Sequence, residues 1–366
     1  MRRITVRVLG LTLMAAMLTS AVATQPAVAA SGISVKLVKG GMHQPAGFTF
    51  GPGGLIYFVE RFTGAVKTLN PQTDVTHLVF TIPNVTGSTT DERGGLGIAL
   101  HPAWPRVPYI YVYATRTVHG HLLNQVLRIN APGGHGTGFR VLMQAGASSA
   151  GYHNGGRILF GPGGHLFVFV GDGHVDANAQ RHKNPQGKLL RINADGSIPK
   201  DNPFKGSRIW TYGNRNSFGY TFDPATGRIW ETENGPGCND EINLIVRGAN
   251  FGWGANENCS GTSPRDTNNS GPLPRHGPKV FFPSPLGITG DAFCHHCGLP
   301  ARYEGKLFFG CVNDGRLRVL GLNAARNAVS TGPTALMTVP GGIYSMETAP
   351  NGQIYLSNAS GIYRLT

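Results

Sequence analysis

Apolar residues in this chain come in short runs broken by turn residues, and one arrangement of them recurs. A short apolar strand leads into a turn holding Pro and a small breaker, and a second apolar strand rich in aromatics follows. Phe48 to Tyr57 is the first copy, and Ile158 to Phe167 nearly repeats it, with Gly-Pro-Gly-Gly at the centre of both. Ile98 to Val112, Tyr220 to Trp230, Gly298 to Phe309 and Met346 to Tyr355 bring the set to six. The turn prolines Pro52, Pro102, Pro162, Pro224, Pro300 and Pro350 are 50, 60, 62, 76 and 50 residues apart. Hairpins at that spacing, with a further apolar stretch after most of them such as Lys188 to Ile192, predict an all-β chain folded as one six-bladed β-propeller over residues 31–366. The terminal run Gly361 to Leu365 reads as a strand suited to closing the ring. No helical period is visible beyond residue 30.

Composition sharpens this picture. Gly numbers 53 and Pro 25 of 366 residues, so about a fifth of the chain is turn-forming. That excludes helical bundles, coiled coils and helical solenoids. The apolar share of 40% is enough for a packed core. The formal net charge is +13, but Lys and Arg are scattered and form no aromatic-interleaved stripe, so no nucleic-acid partner is expected.

Arg2, Arg3 and Arg7 precede an apolar stretch from Val8 to Val22, and Ala27 to Ala29 offers a small-x-small cleavage pattern. This predicts a signal peptide over residues 1–30, a secreted or extracytoplasmic location, and no membrane span once it is removed; a retained anchor is the alternative. All five cysteines lie between 238 and 311. Export permits disulfides, and the odd number leaves one thiol over.

Propellers carry function where the loops of all blades converge at the channel mouth, so polar residues just before each repeat are the candidates. Four segments qualify. Gly151 to Arg157 places His153 before the third repeat, either as a general base or as a histidine pinning a turn. Gly213 to Gly219 offers Arg215, a fork for carboxylates, and Asn216, or else a hydrogen-bonded turn between blades. Glu233 to Asn243 is dense in oxygen ligands of the kind hard cations need, namely Glu233, Asp240, Glu241 and the carbonyls of a Gly/Pro turn. Phe293 to Cys297 has a Cys-x-x-Cys with two histidines, and Cys311 follows; zinc and a disulfide are both open. Cys238 and Cys259 flank the third segment and are expected to pair. For Cys294, Cys297 and Cys311, one bridge and one free thiol are expected. There is no nucleophile elbow, phosphate loop or dinucleotide fingerprint.

Taken together, Gly94 to Pro102, His153 to Arg157, Gly187 to Ile192, Asp195 to Pro199, Gly213 to Asn216, Gly235 to Asn243 and Asn250 to Trp253 resemble the glucose/sorbosone dehydrogenase family. These are soluble quinoproteins that use pyrroloquinoline quinone (PQQ) and calcium, on a six-bladed propeller. The resemblance implies that His153 is the base acting on a sugar hydroxyl and that Arg215 and Asn216 hydrogen-bond the quinone. It implies that the carbonyls of Gly235 and Pro236 bind the calcium that polarises the quinone. Glu241 and the carbonyl of Phe251 match a second, structural calcium site. Glu92 matches a substrate-contacting position, and Tyr152, beside His153, stands where the family has an acid and alters the sugar contacts. The implied partner is a small sugar; the electron acceptor is left unnamed.

The chain also departs from the family. A lysine and an Arg-x-Arg pair that hold the cofactor's carboxylates there read Asn313, Gly342 and Tyr344 here. Oxidation of a sugar CH–OH group is the expected activity. The alternatives are a non-catalytic, calcium-braced propeller that binds carbohydrate or protein, and a propeller lactonase.

Overall fold

The computed structural model describes residues 32–254 and 276–366; the signal assigned to residues 1–30 and Cys259 lie outside them. Six four-stranded antiparallel sheets form the blades of a propeller. Each blade opens with an inner strand: Pro45–Phe50, Gly95–Leu100, Ile158–Phe160, Ser217–Phe222, Ile288–Phe293 and Ser345–Thr348. The six repeat prolines all fall in the turn between that inner strand and the second strand of the same blade. The expected hairpins are therefore present at every position. Four short 3-10 turns are the only helical elements among the described residues.

Closure uses both ends of the described chain. The strand Ile362–Leu365 pairs with Val35–Lys39, matching Val35 to Leu365 and Lys36 to Arg364, so the sixth blade takes its outer strand from the start of the chain. This arrangement removes a free edge from the ring.

The repeated aromatics explain why the blades stack. The last inner-strand residue of one blade meets the aromatic of a neighbour's second strand: Phe160 on Tyr111 at 4.9 Å, Phe222 on Phe167 at 5.5 Å, and Phe50 on Tyr355 at 5.0 Å, all edge-to-face. Each such pair adds roughly 0.5–1.5 kcal/mol beyond the area it buries. The apolar cores lie between blades, as where Tyr111, Tyr113 and Val126 of the second pack on Ile158, Val168 and Leu190 of the third. With every face of every sheet covered, polar side chains converge on the channel along the axis.

Candidate functional site

The loops that precede the inner strands meet at one mouth of the channel, around a cavity of about 400 Å³ lined by Arg61, Glu92, Tyr152, Arg157, Asn313 and Tyr344 among others. His153 sits beside it in the loop leading to the third blade, with a left-handed backbone (φ 60°) and a buried side chain. Its Nδ1 lies 2.8 Å from Oδ1 of Asp172, which is fully buried. An ionised carboxylate only accepts, so Nδ1 carries the hydrogen and Nε2 is left as the basic nitrogen. The other oxygen of Asp172 accepts from Trp253 Nε1 at 2.8 Å, and the Asp172 N–H donates to the carbonyl of Arg215 at 2.8 Å. Asp172 follows the strand Leu166–Val170, within Gly171 to Gly173. Sequence reasoning missed it; an acid between two glycines at the end of a buried strand was the available signal.

Glu92 ties the second blade's loop to this dyad. Its Oε2 accepts from the His153 backbone N–H at 2.6 Å and from Asn216 Nδ2 at 3.0 Å. Burial pushes the Glu92 carboxyl above its ordinary range, opposed by those bonds and by the charge of Arg215. Arg61 clamps the same loop, donating to the carbonyls of Arg93 (2.9 Å) and Asp91. Asn216 in turn accepts from the Gly155 N–H at 3.2 Å, so His153, Glu92 and Asn216 form one network. Tyr152 is half-exposed at the rim, its hydroxyl donating to the carbonyl of Thr90 at 3.1 Å.

Arg215 turns toward the Gly/Pro loop. Its Nη1 donates to the carbonyls of Asn234 (3.0 Å) and Gly235 (2.6 Å), its guanidinium lies over the Trp253 ring at 5.3 Å, and its Nε is buried with no hydrogen-bond partner. Pro236 is next in the loop and half-buried. Of the expected oxygen ligands, Asp240 braces this loop, accepting from the N–H groups of Gly235 (3.0 Å), Leu286 and Gly287 (both 2.8 Å). Glu241 lies below, on the strand Asp240–Leu244, where it faces Glu233 across the sheet while Asn243 faces Glu231. Asn243 Nδ2 reaches Glu233 at 3.2 Å and Glu241 at 3.3 Å. Burial pushes Glu233 up to about 7, and burial with mutual repulsion puts Glu231 and Glu241 well above their ordinary range. Phe251 is buried in the segment before Trp253, its N–H donating to the carbonyl of Tyr212 at 2.9 Å. Among the described residues no three of His, Cys, Asp and Glu converge as a metal-ligand set. Any cation here would draw chiefly on carbonyl oxygens.

Two of the three departures noted in the sequence fall on the cavity itself. Asn313 and Tyr344 stand in its wall, and neither carries a positive charge. The wall's two guanidiniums are engaged, Arg61 as above and Arg157 with Glu347 at 2.7 Å and Ser345 Oγ at 2.9 Å.

The histidine-rich segment lies elsewhere. Cys294 and Cys297 form a disulfide, and Cys311 is a buried free thiol, so the pair is not left for zinc. His295 and His296 border a separate cavity of about 490 Å³ at the opposite mouth, with Phe160, Phe222 and Phe293. Cys238 is disulfide-bonded, and its expected partner Cys259 is outside the described residues.

A closed six-bladed ring with a carboxylate-held histidine at the channel mouth defines a β-propeller with a candidate base on its axis. The chain belongs to the Glucose / Sorbosone dehydrogenase family, whose model matches residues 42–364. It is 33% identical over 247 residues to quinoprotein glucose dehydrogenase B of Acinetobacter calcoaceticus, a match covering 60% of this chain and 52% of that protein, so it spans about half that relative's length. The apo structure of the soluble aldose sugar dehydrogenase of Escherichia coli superposes with a TM-score of 0.80 at 25% identity, covering 91% of this chain and 99% of that one. The PQQ-bound aldose sugar dehydrogenase of Streptomyces coelicolor shares the fold, with a TM-score of 0.76 at 24% identity over 92% of this chain and 98% of its own.

Proposed function

We propose that this chain is an exported, calcium-dependent quinoprotein that oxidises the anomeric CH–OH group of an aldose. The observation that carries the reading is the His153–Asp172 pair beside a channel-mouth cavity next to Arg215 and Asn216. It places a general base of fixed tautomer next to Tyr152, Glu92 and Gly155, which line a space large enough for a small ring ligand.

The residues at one end of the site fit a bound PQQ and its calcium. Arg215 Nε is a buried donor without a partner, in the same guanidinium whose Nη1 holds the carbonyls of Asn234 and Gly235. At Gly235 a side-chain carbon would fall 2.0 Å from the carbonyl oxygen of Cys238 and 2.5 Å from that of Asn239, so only glycine lets these oxygens crowd together. Arg215 and Asn216 would hold the quinone, and the carbonyls of Gly235 and Pro236 the calcium, with Glu241 and Phe251 serving a structural ion. When bound, the quinone takes up hydride and the calcium makes it a better acceptor. His153 Nε2 takes the hydroxyl proton, Asp172 stabilises the imidazolium that results, and Glu92 fixes the His153 main chain. The other end of the cavity, where Asn313 and Tyr344 stand, holds a tricarboxylate less firmly than three cations would.

Titration of the calcium-loaded protein with PQQ tests the reading. A cofactor absorbance should appear and bleach on adding D-glucose or another aldose. Absence of binding would transfer the site to a non-catalytic propeller that binds carbohydrate or protein, which the uncharged Asn313 and Tyr344 favour.

A further inference from the structure

We propose that His174 is the proton-exit residue of this site, passing the proton taken up by His153 to bulk solvent; the inference rests on the dehydrogenase reading. In that reaction the substrate C–H bond breaks with its electron pair going to a two-electron quinone acceptor as hydride. The O–H bond breaks with its proton going to His153 Nε2, and C=O forms. Before the next turnover the Nε2–H bond must break and the proton must leave.

His153 cannot carry the proton out itself. Its N–H donates to Glu92 at 2.6 Å, its carbonyl accepts from the Gly173 N–H at 3.1 Å, and Nδ1 is tied to Asp172 at 2.8 Å. The side chain is only 7% exposed. A base fixed on three sides needs a neighbour that reaches water.

His174 is that neighbour. Its ring centroid is 4.8 Å from that of His153, edge-to-face at 62°, a spacing that one water can bridge. His174 is exposed, at the rim beside Tyr152, whose ring is 6.3 Å away. Imidazole both takes up and releases a proton near neutral pH. Its main chain is anchored independently of the ring: the His174 N–H donates at 2.7 Å to Oδ1 of Asp172, the atom that also holds His153. Side-chain replacement therefore leaves the dyad's hydrogen bonds in place. The backbone is left-handed (φ 62°), a conformation that Asn adopts readily.

The test is chemical rescue in the PQQ- and calcium-loaded enzyme with saturating aldose and excess artificial dye to reoxidise the quinol. Beside it stands imidazole nitrogen NMR of the cofactor-free protein, where His174→Asn should slow exchange of the His153 Nε2 proton with water. Wild-type kcat should be independent of buffer concentration. His174→Asn should lose about tenfold or more in kcat in dilute buffer, a modest share of what acid–base groups contribute, with KM unchanged. Added imidazole should restore kcat in a saturable way, and His174→Ala should behave alike. An active wild type with an unaffected variant overturns the relay alone, as does a loss that imidazole does not reverse. A wild type that oxidises no aldose overturns the dehydrogenase reading and the relay with it.

Discussion

The indole of Trp253 and the imidazole of His153 share one carboxylate. Asp172 accepts from Trp253 Nε1 through Oδ2 and holds His153 Nδ1 through Oδ1, both at 2.8 Å. Trp253 also lies beneath the Arg215 guanidinium, so one buried tryptophan links the base to the arginine assigned to the quinone. Asp172 and Trp253 are 81 positions apart in the chain.

This linkage makes the base sensitive to residues that never touch substrate. Asp172→Asn should lower kcat by about 10²–10⁴-fold, because an amide does not enforce the tautomer that leaves Nε2 basic. His153→Ala should lose a similar factor with little change in melting temperature. Trp253→Phe keeps the ring under Arg215 but removes the donor, and should give a smaller loss. Steady-state kinetics beside a melting curve distinguish these cases, and wild-type turnover in His153→Ala would make that histidine purely structural.

Restoring cations should tighten quinone binding. Asn313→Lys and Tyr344→Arg place charge in the cavity wall, and each charge-assisted contact contributes about 1.5–3 kcal/mol, or about ten- to a hundredfold in Kd. Gly342 is not a candidate: its φ is +76°, and a side-chain carbon there would sit 3.0 Å from the carbonyl oxygen of Val312. Binding titrations at two salt concentrations should show a gain that shrinks with screening. Unchanged affinity in the double variant would mean that those two positions do not face the carboxylates.

Acid sensitivity should be visible at one pair between blades. Asp223 is fully buried and accepts from Arg326 Nε at 2.6 Å. Burial alone would raise its pKa, but the bonds from Arg326, Thr226 and the Ala225 N–H together outweigh it, and the folded value is lowered. A lowered carboxyl contributes stability that is present above the unfolded pKa, about 4, and lost as pH falls through the folded value. Arg326→Ala should destabilise the protein at pH 7 by about 3 kcal/mol, and the gap from wild type should narrow on acidification below pH 4. A gap that stays constant with pH would refute the ionic contribution.

The thiols give a chemical check. Burial pushes Cys311 up to about 12, with Arg318 Nη1 2.9 Å from its sulfur. Native protein should resist iodoacetamide, and unfolding without reductant should label Cys311 alone. Non-reducing peptide mapping should recover Cys294 joined to Cys297, and Cys238 joined to Cys259. Two labelled cysteines besides Cys311 would reject the second pairing.

Periodicity alone determined the architecture. Each proline turn is a local event with a local signature, and six of them at blade spacing leave little choice of topology. The segments holding His153, Arg215, Asn216 and the Gly/Pro loop stood out as candidates too, because each is a polar stretch directly before or after an apolar strand. Partners that meet only across blades were not. Asp172 and Trp253 lie in different blades' loops, and neither position announces that the indole N–H will meet that carboxylate. The start of the chain supplies the sixth blade's outer strand, yet Val35 to Lys39 alone reads as any short strand. His174 becomes adjacent to His153 only because a left-handed turn brings the two rings together. Local sequence dictates strand and turn through short-range sterics and burial pattern. Which polar side chains converge on the axis is decided by ring closure, which sums the twist and packing of all six blades.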